Sequence, residues 1–271
     1  MKTDINRTVL NITTYCNLKC KHCLAFIPYY DTHRHISFTE AKEILAQYFQ
    51  IVDSVGHFTI TGGEPLLNPD VLSIMEEVIL YKEQIRDSLD FVTNSSIMIS
   101  PDILNFFETH RQDIRLILSN YGNGLSTQFD NIKKALDDRN IPYRVSSFCG
   151  KDLYYDGWID FSDHSVKWKT LEERDRNAQK CLHGAGKYFV INDGELHRCS
   201  RSYWRIRQNI IPKIIGEYVP LTDNSYTLEE KREALLTLMN AKSTTSCAHC
   251  VGFTNEAERV LPAQQLGADT P

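Results

Sequence analysis

The chain has 271 residues, of which 42% are hydrophobic and 24% charged, and its formal net charge is −5. This length can bury the core of one domain with an appendage, and the excess of acidic residues excludes an extended basic surface for nucleic acid. No apolar run approaches the roughly 20 residues of a membrane span, and the N-terminus lacks a signal peptide's apolar stretch. We therefore expect a cytoplasmic protein with no nucleic-acid or membrane partner.

The first half of the sequence predicts repeated strand–helix units, because short apolar runs alternate with longer segments of helical periodicity. Three polar residues mark helix starts: Ser37, which can form a capping box with Glu40, and Asn68 and Ser100, each followed by proline. We predict an α/β fold, a partial TIM-like barrel of about five to six parallel strands, since a closed barrel needs eight. The candidate strands are Val9–Thr13, His57–Thr61, Leu89–Thr93, Ile114–Ser119 and Tyr143–Phe148.

The pattern changes after about residue 150. Two short apolar runs flank Asp193–Gly194, the strongest hairpin signal in the chain, and a helix is predicted over Leu228–Ala241. We predict two domains: a partial barrel over residues 1–150, and a smaller cysteine-bearing subdomain with a β-hairpin over residues 151–271. The last residues, from Gly267 onward, are expected to form an unstructured tail.

Cysteines are the most informative residues, because a cytoplasmic protein uses them more often for metal binding or catalysis than for disulfides. Cys16, Cys20 and Cys23 follow the first strand with three and then two intervening residues, a spacing at which thiolates can converge on one inorganic cluster. Three ligands leave one iron open to a small chelating molecule. The alternative is a zinc site completed by His22, which lies between two of the cysteines and would struggle to reach the same ion.

A second motif, Gly62-Gly63-Glu64, follows the second strand and should lie at the same edge of the sheet as the cysteines. Glycines there let a ligand approach the backbone closely, their carbonyls can accept from an ammonium group, and Glu64 adds negative charge. Taken alone, the motif is equally compatible with a turn that enters the helix after Asn68.

With both motifs in view, the chain resembles the radical S-adenosylmethionine (radical SAM) superfamily. The match is Cys16-Asn-Leu-Lys-Cys20-Lys-His-Cys23 together with Gly62-Gly63-Glu64, and His22 departs from the aromatic residue common before the third cysteine. The resemblance implies a [4Fe–4S] cluster whose open iron binds SAM and whose electron, supplied by flavodoxin or ferredoxin, cleaves SAM to methionine and a 5′-deoxyadenosyl radical. It also implies SAM contacts from the polar strand ends, at Asn94 and Ser119.

Four later cysteines can complete the coordination of a cluster or of a zinc ion, and spacing does not separate the two. Their pattern resembles the twitch subdomain, a short relative of the SPASM domain that follows some radical SAM barrels, which implies an auxiliary [4Fe–4S] cluster. The spacing is most similar to the small two-cluster dehydrogenases typified by 2-deoxy-scyllo-inosamine dehydrogenase. The four residues are Cys181, Cys199, Cys247 and Cys250.

Cys149 ends the fifth predicted strand and is left over from both sets. At the barrel mouth its thiol could return a hydrogen atom to a substrate radical, as in radical SAM epimerases; it could also replace an auxiliary ligand, or be a small buried hydrophobic residue. We expect an oxidoreductase or isomerase that dehydrogenates or epimerises a sugar, cyclitol or amino sugar at an unactivated C–H bond. The alternatives are a radical SAM enzyme that modifies a ribosomal peptide, and a non-catalytic zinc-binding interaction module.

Overall fold

The structure, a computed structural model, describes residues 2–151 and 153–267, so the predicted tail beyond Gly267 lies outside the described residues. Strands and helices alternate through the first half, as the sequence pattern predicts. In this half they are β1 (Asp4–Asn11), α1 (Phe38–Ile51), β2 (Ser54–Thr61), α2 (Val71–Ile79), β3 (Ile85–Thr93), α3 (Pro101–Thr109), β4 (Ile114–Asn120), α4 (Phe129–Asp138) and β5 (Tyr143–Ser147).

The second half contains shorter elements joined by longer connections. They are β6 (Trp158–Ile159), α5 (Leu171–Lys180), α6 (Leu182–Ala185), β7 (Tyr188–Asn192), β8 (Glu195–His197), α7 (Ser200–Arg207), β9 (Tyr218–Pro220), α8 (Leu228–Asn240) and β10 (Arg259–Val260). Short 3₁₀ turns lie at Ile27–Tyr29, Pro65–Leu67, Lys82–Gln84, Tyr154–Asp156 and Thr245–His249. Within the described residues, no helix is both long enough and apolar enough to cross a membrane.

Within residues 2–151 and 153–267, one eight-stranded sheet has the order β5-β4-β3-β2-β1-β7-β8-β9. β1 to β5 and β7 pair in parallel, whereas β7, β8 and β9 pair antiparallel. Six parallel strands fall short of the eight that close a TIM barrel, so the predicted partial barrel is confirmed. The hairpin around Asp193–Gly194 also forms, but its first strand pairs with β1 and thereby continues the barrel sheet instead of standing apart from it.

Helices cover the sheet with their apolar faces. On α1 the buried Tyr48 packs against Phe58 of β2 with ring centroids 5.7 Å apart, and burial of such a side chain stabilises the fold by roughly 1.5–3 kcal/mol. Polar contacts join the two halves: Asn11 donates to Asn192 across β1 and β7 at 2.5 Å, and Lys231 of α8 donates to the side-chain oxygen of Gln47 in α1 at 2.9 Å. Because the parallel strands end at one edge, the loops that follow them meet there.

Candidate functional site

The loop that follows β1 is paired to the end of β2 through its backbone. The Gly63 amide donates to the Thr13 carbonyl at 2.7 Å, and the Glu64 amide donates to the Tyr15 carbonyl at 2.8 Å. A Cβ on Gly63 would lie 2.1 Å from the Tyr15 oxygen, and one on Gly62 would lie 2.4 Å from the Thr13 oxygen. The sequence interpretation assigned these glycines to the approach of a ligand; the structure shows that they admit the cysteine loop itself.

We expect Gly63→Ala to lower the free energy of unfolding by about 1–3 kcal/mol, the usual range for overpacking. The reason is that the added methyl group would overlap rigid backbone. Gly124→Ala is the matched control, since a Cβ on Gly124 meets nothing within 4 Å. Urea unfolding of both variants under anaerobic conditions measures the difference. Equal stability of the two variants would show that the loop is not held in this way.

The C-terminal segment pairs with the cysteine loop on its other side, which the sequence did not indicate. The Lys21 amide donates to the Gln264 carbonyl at 2.7 Å, and the Leu266 amide donates to the Lys19 carbonyl at 2.8 Å. Between these contacts the Gln265 side-chain amide lies 3.3 Å from the Cys20 sulfur, to which it donates. Gln265 therefore helps to position one of the three predicted cluster ligands.

A cavity of about 300 Å³ opens where the cysteine loop meets the ends of the parallel strands. This volume lies at the lower end of the range for small-molecule sites. Seven of the eight residues predicted for the first site line the cavity: Cys16, Cys20, Cys23, Gly62, Gly63, Asn94 and Ser119. Its wall also includes residues that the sequence analysis did not assign to a site: Asn11, Tyr121, His183 and Ser200.

Glu64, the eighth predicted residue, lies outside the cavity wall and is fully buried. Its carboxylate accepts hydrogen bonds from the Asn94 amide at 2.7 Å, the Thr93 hydroxyl at 2.9 Å and the Leu66 amide at 3.1 Å. It therefore ties the turn after β2 to the end of β3, next to Asn94. Burial raises the pKa of Glu64 to about 7, although the three hydrogen bonds oppose the shift.

The raised pKa of Glu64 predicts a pH-dependent stability. Because the folded protein holds this proton up to about pH 7 and the unfolded chain loses it near pH 4.5, stability should fall as the pH rises between those values. Glu64→Gln lacks the titrating group. We therefore expect the stability of the wild type relative to this variant to fall by on the order of 3 kcal/mol between pH 5 and pH 8, as measured by urea unfolding. Parallel stability curves would contradict the assignment.

The thiols of the first set lie in a poorly solvated environment. Burial raises the pKa of Cys16 to about 12 and that of Cys20 to about 11, and it also raises the pKa of Cys23. Since ligation requires thiolates, a metal group bound here must carry enough positive charge to displace the protons. Three thiols around one cavity are the donor set of an iron–sulfur cluster with one open iron.

His22, which the zinc alternative requires, lines a different, aromatic cavity, and its Nδ1 lies 3.4 Å from a carboxylate oxygen of Asp160. Within the part of the chain that the structure describes, no three His, Cys, Asp or Glu side chains stand close enough to hold one metal ion. In a [4Fe–4S] cluster each cysteine binds a different iron, so separated thiols are compatible with a cluster.

The four later cysteines line a second cavity. Two arginines of the same wall hold the backbone of the cysteine-bearing segments. Arg198 donates to the Gly184 carbonyl at 3.0 Å, close to Cys181, and Arg205 donates to the Ser246 carbonyl at 2.9 Å, next to Cys247. A third arginine, Arg201, also lines this cavity and is 1% exposed. Four thiols with buried cations are a donor set suited to an anionic metal–thiolate group.

His183 lines both cavities, so the two cysteine sites are neighbours. Cys149 belongs to neither cavity wall. Its sulfur lies 3.7 Å from the side-chain oxygen of Asn120, to which it donates, and it contacts the hydroxyl of Ser147 at 4.0 Å. The structure thus places the leftover cysteine at the end of β5, beside the end of β4.

Residues 10–135 match the family model of the Radical SAM superfamily. We call this matched segment the radical SAM domain. The radical SAM domain contains the first cysteine set and Gly62-Gly63-Glu64, and its family implies an enzyme that uses a [4Fe–4S] cluster and SAM. The second cysteine set lies beyond the matched residues.

Curated relatives share limited stretches with the chain. GTP 3′,8-cyclase of Limosilactobacillus fermentum is 35% identical over 71 residues, which are 26% of this chain and 21% of the relative. GTP 3′,8-cyclase of Acaryochloris marina is 27% identical over 111 residues, which are 40% of this chain and 33% of the relative. The chain therefore aligns with only about a fifth to a third of the length of these relatives.

Solved structures resemble the chain over nearly its whole length. Native anSMEcpe with bound AdoMet (SAM) has a TM-score of 0.54 at 12% identity, and covers 95% of this chain and 93% of its own. BtrN in complex with AdoMet and 2-DOIA has a TM-score of 0.50 at 15% identity, and covers 95% and 98%. At these identities the likeness shows the fold alone, and it agrees with a partial barrel.

Proposed function

We propose that the chain is a radical SAM dehydrogenase that oxidises a secondary alcohol of a sugar, cyclitol or amino sugar. One observation carries the proposal: the three-cysteine loop, the Gly62-Gly63 turn and the polar ends of β3 and β4, all within the radical SAM domain, meet around a single cavity. When bound, the cluster and SAM supply the radical chemistry that removes hydrogen from an unactivated C–H bond.

The residues around this cavity would bind and orient the cluster and SAM. Cys16, Cys20 and Cys23 would hold the first [4Fe–4S] cluster. The Asn94 side chain donates to the Asn17 side-chain oxygen at 3.0 Å and lies 3.8 Å from the Cys16 sulfur, so it is positioned before SAM binds. Together with Ser119 it would offer polar contacts to SAM, and such preorganisation lowers the entropic cost of binding.

Dehydrogenation is favoured over epimerisation by the position of the second cysteine set. Oxidation of an alcohol to a ketone removes one hydrogen atom, one further electron and one proton, so the electron needs an acceptor near the substrate. The cavity lined by Cys181, Cys199, Cys247 and Cys250 shares His183 in its wall with the first cavity. An auxiliary [4Fe–4S] cluster there would be close enough to take that electron.

Cys149→Ala separates dehydrogenation from epimerisation. We expect this variant to keep at least half of the wild-type turnover, because the Cys149 sulfur is engaged with Asn120 and lies outside the cavity wall. An epimerase that returns hydrogen from this thiol would lose turnover and leave a substrate radical unquenched. The measurement is product formation per SAM cleaved, with deuterium incorporation from D₂O at the reacting carbon as the second readout, since only thiol return introduces solvent deuterium at that carbon.

A second candidate function is peptide modification, which one feature favours. A cavity of about 250 Å³ adjoins the first through Trp158 and Leu24 and is lined mainly by rings, among them those of Phe148, Tyr154 and Phe253. An apolar wall of this kind suits an aromatic or aliphatic side chain better than a hydroxylated ring.

The test is a SAM cleavage assay with anaerobically reconstituted protein and a chemical reductant. We expect 5′-deoxyadenosine and methionine to form, and an amino cyclitol to accelerate their formation and to be oxidised. If short peptides accelerate SAM cleavage and the amino cyclitol does not, the proposed function would instead be peptide modification. Failure to form 5′-deoxyadenosine with intact clusters would overturn the radical SAM activity.

A further inference from the structure

Arg201 is an unusual buried charge. It is 1% exposed on α7, two residues after Cys199, and its Nε and Nη1 atoms have no hydrogen-bond partner in the described part of the chain. Its guanidinium carbon lies 4.1 Å from the ring centroid of Phe161. A buried cation costs several kcal/mol unless an anion compensates it, and an N–H group left without an acceptor adds to that cost.

The neighbouring arginines show this feature less or not at all: both terminal nitrogens of Arg198 donate to carbonyl groups and only its Nε lacks a partner within the described residues, while all three nitrogens of Arg205 are engaged. Arg198 donates to the Leu238 and Gly184 carbonyls, and Arg205 donates to the Ser246 and His249 carbonyls. These contacts stabilise the local backbone. Of the three arginines, Arg201 has the most unpartnered nitrogens within the described residues, two against one for Arg198 and none for Arg205, and it lines the cavity of the four cysteines.

As thiolates, the four cysteines would supply the negative charge that compensates the buried guanidinium of Arg201. Arg201 and Arg205 line the same cavity as the four cysteines, and both side chains are buried. Positive charge is therefore built into the wall of the cavity that the thiols face. Four thiolates around a [4Fe–4S] core leave a net charge of roughly −2, which one-electron reduction makes more negative.

We propose that Arg201 is a positioning residue for the auxiliary cluster that raises its reduction potential and so makes it an electron acceptor. The inference rests on the proposed function, because it requires a [4Fe–4S] cluster at Cys181, Cys199, Cys247 and Cys250. Hydrogen bonds to the sulfurs and net charge both set cluster potentials. A fixed cation beside the cluster stabilises the reduced form more than the oxidised form, since the reduced form carries one more negative charge.

The experiment measures the midpoint potential of the second cluster alone. The background is the full chain with Cys16, Cys20 and Cys23 changed to alanine, reconstituted anaerobically and titrated while the reduced cluster is followed by electron paramagnetic resonance. In Arg201→Met we expect the equilibrium constant for one-electron reduction to fall at least tenfold, which is 59 mV for a one-electron couple. In Arg201→Lys, which keeps the charge, the same equilibrium constant should fall by a smaller factor.

Arg207→Met is the matched control, because Arg207 lies on the same helix but is exposed. In this variant the equilibrium constant for one-electron reduction of the second cluster should change less than twofold. If Arg201→Met does not retain iron, Arg201→Gln removes the charge while keeping a donor, and the same tenfold fall is expected. An unchanged potential with intact iron would show that Arg201 only packs against Phe161. Zinc at the second site, with SAM cleavage by the wild-type chain preserved, would overturn the inference without touching the first site.

Discussion

Changing Cys16, Cys20 and Cys23 together to alanine is expected to abolish SAM cleavage and to lower bound iron from about eight to about four atoms per chain. The reason is that these thiols line one cavity with Gly62 and Gly63, inside the segment that matches the radical SAM family. Without them no donor set remains to hold a cluster beside SAM. Iron and sulfide analysis after anaerobic purification, together with an assay for 5′-deoxyadenosine, measures both effects.

His22→Ala is the control for this variant, because His22 lies between two of the same cysteines but lines the aromatic cavity. We expect it to keep about eight irons and to cleave SAM. Loss of metal in His22→Ala would instead support the zinc site that includes His22. Zinc at both cysteine sets in the wild type would remove the basis for radical chemistry altogether.

Changing Cys247 and Cys250 to alanine is expected to separate SAM cleavage from substrate oxidation. Iron should fall to about four atoms per chain, SAM cleavage should persist at the first site, and ketone formation should drop at least 100-fold. The physical reason is that hydrogen abstraction still occurs, but the second electron no longer has an acceptor beside the cavity. The measurement is the ratio of oxidised product to 5′-deoxyadenosine.

This variant removes two buried thiols near Arg205 and Arg201, so its fold has to be checked by circular dichroism and thermal unfolding. Cys149→Ala is the matched comparison, because it removes a thiol that lines neither cavity and should leave eight irons in place. Full ketone formation by the double variant would show that the electron leaves by another route, and the auxiliary-cluster role would then be wrong.

Local patterns in the sequence predicted much of the barrel. The Ser37 hydroxyl accepts a hydrogen bond from the Glu40 amide, and the Glu40 carboxylate accepts one from the Ser37 amide, as the capping box requires. Ser100 caps α3, with proline at its first position. Asn68 also resembled a cap, but its side chain donates to the Ile12 and Ile36 carbonyls, and α2 begins at Val71. A polar residue before proline therefore did not distinguish a cap from a long-range contact.

Long-range pairing could not be predicted from local patterns. The Asp193–Gly194 turn identified a hairpin, but nothing near it indicated that β7 pairs with β1, because that register depends on contacts such as Asn11 with Asn192, 181 residues apart. The site residues His183 and Gln265 were missed for the same reason. No local pattern indicates that Arg201 is buried, because its burial arises from tertiary packing.

The pairing of the C-terminal segment with the cysteine loop has a consequence for how the protein matures in the cell. Translation delivers Cys20 early, but Gln265, which donates to its sulfur, follows 245 residues later. At about 5–20 residues per second, the ribosome needs at least roughly ten seconds to supply that partner. The cysteine loop lacks this partner during the interval, so we expect cluster insertion to follow synthesis of the C-terminal segment.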